Sequence, residues 1–308
     1  MTKDSFNNSF HANHPKRYPS FNMGPYDKLF IYELSDEISV KGYEFGPDFI
    51  GCWNEAGSSF LFFSREHDDP ITRWLEHQGT GEIVSRHVMD YRDWQTGEEL
   101  KPFRVKKFVI CPSWEEAEIA QGEILIRLDP GVVFGTGLHP TTRGCLKALW
   151  GIYQIDSPQK VLDIGTGTGI LAIAAAKLKA QHVLAIDRND LAVETARKNV
   201  LLNGAEDRVG VKRGEAEAFA REKADLVLAN LHFQAIDALL RREEFFSKQW
   251  IVLSGLFHGQ VNGVLAEIEK RWFKVHDRMD EDRWATLVLR KTRHEEGSRG
   301  GYGKRLYG

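Results

Sequence analysis

From residue 160 onward, short apolar runs alternate with amphipathic stretches in a strict order. "KVLDI", "HVLAID", "RVGVKR", "ADLVLAN" and "QWIVLSG" read as strands. Between them "ILAIAAAKLK", "DLAVETARKNVLLN", "EAEAFARE" and "AIDALLRREEFF" read as helices. Strands separated by helical crossovers pair in parallel, and a parallel sheet needs helices on both faces, so the pattern predicts a doubly wound α/β sheet. The helix "VNGVLAEIEKRW" follows, and then "FKVHDRMDEDRWATLVLRK" predicts two strands joined by an acidic turn. That gives seven strands, the last two an antiparallel hairpin.

In such sheets a ligand sits beyond the carboxyl ends of the strands, where the connection order reverses. The first strand runs into Asp163-x-Gly165-x-Gly167-x-Gly169, and Asp187 ends the second strand, where it can accept hydrogen bonds from both ribose hydroxyls of an adenosine. Gly167-x-Gly169-x-x-Ala172 also matches the alanine form of the dinucleotide fingerprint. Charge separates the two ligands. A pyrophosphate would be repelled by Asp163, whereas S-adenosylmethionine brings an ammonium and a sulfonium that a carboxylate attracts. An NAD-dependent oxidoreductase would account for the glycines and Asp187 but not for Asp163. The structural alternative for Asp163 is a helix-capping carboxylate. Glu215, beyond the third strand, is placed to border the adenine or to start a helix in solvent, and Asn230 ends the fourth strand beside the reactive methyl group. Arg188 reads as a surface residue.

A second glycine-rich stretch, "DPGVVFGTGLHPTTR" (129–143), precedes the sheet. With "KVLDIGTGTGILAIAAAKLKA", "AIDRNDLAVETARKN" and "ADLVLANL" in order, and "KPFRVKKFVICPSWE" and "DEDRWATLVLRK" at either end, residues 95–291 resemble the PrmA family, which methylates ribosomal protein L11. The "FGTG-x-HPTT" block is the specific part. The resemblance implies a class I, Rossmann-like methyltransferase domain that uses S-adenosylmethionine, behind a small domain that recognises the ribosomal substrate. Carried over by position, Thr142, Gly165, Asp187 and Asn230 become cofactor contacts. Phe134, Gly135, Gly137 and Thr142 would fold over the cofactor held by the second loop, shielding the transfer from water. The acceptor would be a lysine side chain or N-terminal amine of a large-subunit ribosomal protein, oriented by Asn230. His232 is either the proton acceptor or a structural or substrate contact, and His139 fixes the loop before Pro140. Where the family continues after the Asn with Ile and a small residue, this chain has Leu231, His232 and Phe233. A methyltransferase of the same fold acting on another protein or a small molecule is the alternative.

The rest of the chain divides accordingly. Residues 1–24 read as a polar tail, 25–94 as a small α+β domain, 95–128 as a linker, 129–292 as the catalytic domain and 293–308 as a basic, glycine-rich tail. "DKLFIYEL", "DFIGCW", "SFLFFS" and "EIVSRHVM" read as strands and "DPITRWLEHQ" as a helix. A formal net charge of −3 gives no global field toward DNA. RNA contact is expected, if anywhere, through the tail "SRGGYGKRLYG". Cys52, Cys111 and Cys145 form neither a disulfide ladder nor a metal motif, His11 and His14 lack a third ligand, and no apolar leader opens the chain. A cytoplasmic enzyme without metal or membrane attachment is expected.

Overall fold

The computed structural model describes residues 26–40, 43–55, 57–95 and 100–292. The two expected tails, with His11 and His14, lie outside the described residues. The first unit comprises β1 (Lys28–Leu34), β2 (Phe49–Glu55), β3 (Ser58–Phe63), α1 (Asp68–Gln78), β4 (Ile83–Asp90) and the short α2 (Tyr91–Gln95). Its antiparallel sheet has the order β2-β3-β1-β4, with Phe30 opposite both Phe63 and Val88. Strand alternation sends Tyr32, Leu34, Leu61 and Phe63 toward Ile71, Trp74 and Leu75 of α1. Leu29, Ile31 and Phe62 point the other way and pack against Val132, Val133, Leu191 and Ala192. Both faces are thus covered, one by its own helix and one by the C-terminal unit.

The stretch expected to be a linker is built into the core. It forms β5 (Phe103–Val105), β6 (Phe108–Pro112) and β7 (Ile124–Leu128), a three-stranded sheet in which β6 pairs antiparallel to β5 and parallel to β7. Every residue of β6 is buried, and Phe108, Ile110, Ile126 and Leu128 join the main apolar core. An apolar run of this kind must be covered on both faces, which a connector cannot do.

The C-terminal unit continues as α3 (Pro140–Ile155), β8 (Lys160–Ile164), α4 (Ile170–Lys177), β9 (His182–Asp187), α5 (Asp190–Leu202), β10 (Val209–Arg213), β11 (Leu226–Asn230), α6 (Phe233–Leu240), β12 (Trp250–Phe257), α7 (His258–Glu269), β13 (Phe273–Glu281) and β14 (Trp284–Lys291). The strand order is β10-β9-β8-β11-β12-β14-β13, parallel except for the hairpin β13–β14, which meets β12 antiparallel. The connection reverses between β8 and β11, which makes the ends of those strands the switch point. One core lies between the sheet and α3, α4 and β7, the other between the sheet and α6 and α7. Seven consecutive residues of α4, Ile170 to Ala176, are buried, so that helix is apolar all round rather than striped.

Two helices are shorter than expected. "EAEAFARE" contains only a 3-10 turn, Ala216–Phe219, and the chain after α6 breaks into a second one, Glu243–Ser247. Only Ala216, Phe219 and Ala220 of the first stretch pack inward, too small a stripe to support a longer helix. Among the described residues no helix is long and apolar enough to cross a membrane.

Candidate functional site

At the switch point the glycine turn after β8 is fastened to the end of β9. The N–H groups of Gly165 and Thr166 both donate to the Ile186 carbonyl at 2.9 Å. Gly167 donates to Asp187 Oδ2 at 3.0 Å, and Asn189 donates to Asp187 Oδ1 at 3.0 Å. Asp187 thereby aligns the turn, and each oxygen keeps a lone pair for a further donor. Burial raises its carboxyl above the ordinary value, partly offset by these hydrogen bonds and by Arg188. Gly167 has φ +54, and a Cβ there would meet the Phe134 carbonyl oxygen at 2.4 Å.

Asp163 is 1% exposed. Its Oδ2 accepts from the Thr166 hydroxyl at 2.6 Å and from the Ala172 N–H at 3.2 Å. Gly169, the N-cap of α4, has no side chain to offer, so Asp163 caps that helix from the preceding strand. The capping role set out as the structural alternative is therefore present. The other oxygen, Oδ1, is buried without a hydrogen-bond partner. Burial pushes this carboxyl up to about 7, and the neighbouring Asp187 adds to the rise. An orphaned carboxylate oxygen beside a glycine turn suits a ligand that carries positive charge and repels a pyrophosphate.

The first loop lies directly on the second. Thr168 donates its N–H to the Phe134 carbonyl at 3.2 Å and its hydroxyl to the Gly135 carbonyl at 2.7 Å. A Cβ on Gly137 would press on the Phe103 ring at 2.9 Å. Thr142, buried in the first turn of α3, accepts from Asn230 Nδ2 at 3.4 Å, which joins the end of β11 to the first loop. His139 is the N-cap of α3, its Nδ1 accepting from the Thr141 N–H at 3.3 Å. Its ring lies edge-on to Phe134 at 5.3 Å and to Trp284 at 5.0 Å. Burial and the nearby Arg143 hold the His139 pKa below the ordinary value. Arg143 also binds the Leu138 carbonyl and Glu281, tying the loop to the terminal hairpin.

Two residues not singled out from the sequence hold the first loop from below. Asn199, fully buried, accepts from Asp129 N–H at 2.8 Å and donates to the Asp129 carbonyl at 3.0 Å and the Thr168 carbonyl at 2.9 Å. Asn203 makes the equivalent pair of bonds with Arg127, at 3.0 Å and 2.7 Å. Four helical residues rise about 6 Å and two strand residues about 6.6 Å, so these amides on one face of α5 match alternate residues of an extended chain. The available signal was an Asn inside an otherwise apolar stripe, with Leu191, Ala192, Ala196 and Val200 around it.

Other candidates fall at the margin. Glu215 is exposed at the start of its 3-10 turn and makes no cap bond. His232 is exposed and caps α6, its Nδ1 accepting from the Ala235 N–H at 3.2 Å. That bond gives the residue a capping role, the structural one of the two set out for it. Leu231 covers Gly165, where a Cβ would meet Leu231 Cδ2 at 2.2 Å.

The first unit grips the same loop. Tyr91 donates its hydroxyl to the Gly131 carbonyl at 2.6 Å, and Trp94 Nε1 donates to the Val132 carbonyl at 3.0 Å. Arg188, beside Asp187, pairs with Glu55 of β2 at 3.0 Å. Between the N-terminal sheet and the loop is a cavity of about 760 Å³ whose walls include Trp53, Phe60, Trp94, Phe134 and His139.

Residues 61–292 match the family described as ribosomal protein L11 methyltransferase (PrmA). A ribosomal protein L11 methyltransferase of Heliobacterium modesticaldum is 36% identical over 223 residues, 71% of this chain and 69% of that protein. One from Lactococcus lactis is 34% identical over 230 residues, 72% of this chain and 71% of its own. The crystal structure of a ribosomal protein L11 methylase from Lactobacillus delbrueckii superposes with a TM-score of 0.57 at 28% identity, covering 63% of this chain and all of that one. On a match that spans the first loop, the glycine turn and the terminal hairpin, the chain belongs to the ribosomal protein L11 methyltransferase (PrmA) family.

Proposed function

We propose that the protein transfers methyl groups from S-adenosylmethionine to amines of ribosomal protein L11, at lysine side chains or the N-terminal amine. Family membership supports the donor and the reaction class. The observation that carries the site is the joining of both loops by Thr168, beside the unpartnered Oδ1 of Asp163. When bound, the cofactor supplies a methyl group already activated on a sulfonium. The protein's part is to hold and position. Asp187 and the turn Gly165–Gly169 receive the adenosine end, Asp163 offers its free oxygen to positive charge, and Phe134 to Thr142 close the other side.

An acceptor lysine must be neutral, against a reference pKa of about 10.4, and a desolvated cleft lowers it. With its Nδ2 given to Thr142, Asn230 has Oδ1 left to accept from the amine and aim its lone pair. The N-terminal sheet is the recognition unit for the protein substrate in this reading, and the 760 Å³ cavity is where a substrate segment passes between that sheet and the loop. Incubating the protein with methyl-labelled S-adenosylmethionine and separated large-subunit ribosomal proteins tests the acceptor. Label is expected in L11; label confined to another protein, or to small molecules of a cell extract, would overturn the assignment.

A further inference from the structure

Away from the switch point, at the opposite end of the β12, β14 and β13 strands, lies a second cavity of about 490 Å³. Its walls include Lys274, His276, Arg290, Lys291 and Thr292, and none of the lining residues is acidic. Lys274 and Arg290 stand directly opposite each other in the β13–β14 register. Like charges facing across an antiparallel pair are destabilising unless something neutralises them. Among the described residues neither has a carboxylate partner within salt-bridge distance, whereas Arg143, Lys147, His258 and Arg278 around the hairpin each have one. Charged edge strands commonly serve to block aggregation, but alternating signs would do that without the repulsion.

The arrangement is held in place. Arg290 faces Trp250 in the next strand, and its guanidinium lies 4.9 Å from the centre of that ring. His276 meets the same ring edge-on at 5.0 Å, and Trp250 itself is anchored by donating Nε1 to Asp156 at 2.8 Å. Lys291 donates to the Phe246 carbonyl at 3.1 Å, which fixes its position at the cavity wall.

A separate feature adjoins it. Trp272, in the turn before β13, is 62% exposed and has φ +60, a conformation in which a bulky residue is strained. The strain is held by Thr292, another wall of the cavity, whose N–H and hydroxyl donate to the Trp272 carbonyl at 2.8 Å and 2.7 Å. A cationic groove next to an exposed aromatic ring is the chemistry of single-stranded nucleic acid binding: cations follow the phosphates and the ring stacks on a base. From Thr292 the sequence goes on to Arg293, Arg299, Tyr302, Lys304, Arg305 and Tyr307, the same residue types.

We propose that this edge of the catalytic sheet, centred on Lys274, Arg290 and Trp272, is a binding site for single-stranded RNA. It is independent of the identity of the methyl acceptor, and it works locally, since the overall charge of −3 provides no general attraction.

Fluorescence anisotropy of the full chain with a labelled, mixed-sequence single-stranded RNA of about twelve nucleotides tests this. Salt-dependent binding is expected. Replacing Lys274→Gln and Arg290→Gln together should weaken it about tenfold and flatten the slope of log K against log salt by about 1.4, two phosphate contacts' worth. Trp272→Ala should weaken it about fivefold to a hundredfold. Both variants should melt and bind S-adenosylmethionine like the parent, which separates loss of contact from loss of fold. A chain ending at Thr292 should retain binding that remains sensitive to Lys274→Gln with Arg290→Gln. The proposal is overturned by unchanged RNA affinity in the double variant, by complete loss on removing residues 293–308 alone, or by tighter binding of polyglutamate than of RNA.

Discussion

Thr168 and Gly135 are joined by a hydrogen bond of 2.7 Å from the threonine hydroxyl to the glycine carbonyl, so the two glycine-rich loops form one wall. Gly135 has φ +111, and a Cβ there would sit 2.9 Å from the same hydroxyl. Gly135→Ala should therefore both strain the backbone and push the loops apart. We expect S-adenosylmethionine affinity to fall at least about tenfold, the equivalent of 1.4 kcal/mol. Thr168→Val, which replaces the donating hydroxyl by a methyl group, should cost about 1 kcal/mol of stability or more in denaturant titration. Affinity unchanged in folded Gly135→Ala would separate the first loop from the cofactor.

Asn199 is the buried fastening of that wall. Its amide makes three bonds to Asp129 and Thr168, and truncation leaves their backbone groups without partners in a dry site. Asn199→Ala should lower unfolding free energy by about 3 kcal/mol, measured by urea unfolding, and should weaken cofactor binding although the residue lies beneath the loops. A loss under about 0.5 kcal/mol would mean that the loop is held elsewhere.

Asp163 gives a pH signature. Its carboxyl stands at about 7 in the folded chain, above its ordinary value of 3.8. Folding thus favours the protonated form: this contribution is present at low pH and is lost as pH rises through about 7. Thermal melting of the ligand-free protein should show Asp163→Asn gaining on the parent between pH 5 and 8. A cationic ligand acts in the opposite sense by favouring the ionised form. S-adenosylmethionine affinity of the parent should rise across that range, and that of Asp163→Asn should stay flat. Parallel curves would show that Asp163 neither titrates there nor meets the ligand's charge.

His232→Ala should reduce stability by about 1 kcal/mol through loss of the α6 cap, while turnover at saturating substrate keeps its pH profile. His232→Asn, which can cap, should restore the stability. Loss of the basic limb of the profile in His232→Ala would return the residue to chemistry.

The alternation beyond residue 160 was readable because the strands are short apolar runs and most crossovers are helices, a pattern that few topologies satisfy. Asp187 and Asn230 were readable as strand ends at the switch point, where one fastens the glycine turn and the other reaches Thr142. The β5–β7 sheet was not, since strands of three to five residues around Lys107 resemble a connector until Phe108 and Ile126 are seen buried. Asn199 and Thr168 were missed because their partners are backbone carbonyls, which carry no residue identity. For His232 the sequence left a base and a structural contact open, because the cap depends on its register with Ala235, which only the fold shows.

The central claim is that both loops enclose one site for a positively charged methyl donor. Calorimetric titration of the protein and of Asp187→Ala with S-adenosylmethionine, and separately with NAD, tests it most directly. The account predicts one-to-one binding of S-adenosylmethionine, at least about tenfold weaker in Asp187→Ala, and no heat with NAD. Binding of NAD, or S-adenosylmethionine affinity indifferent to Asp187, would contradict it.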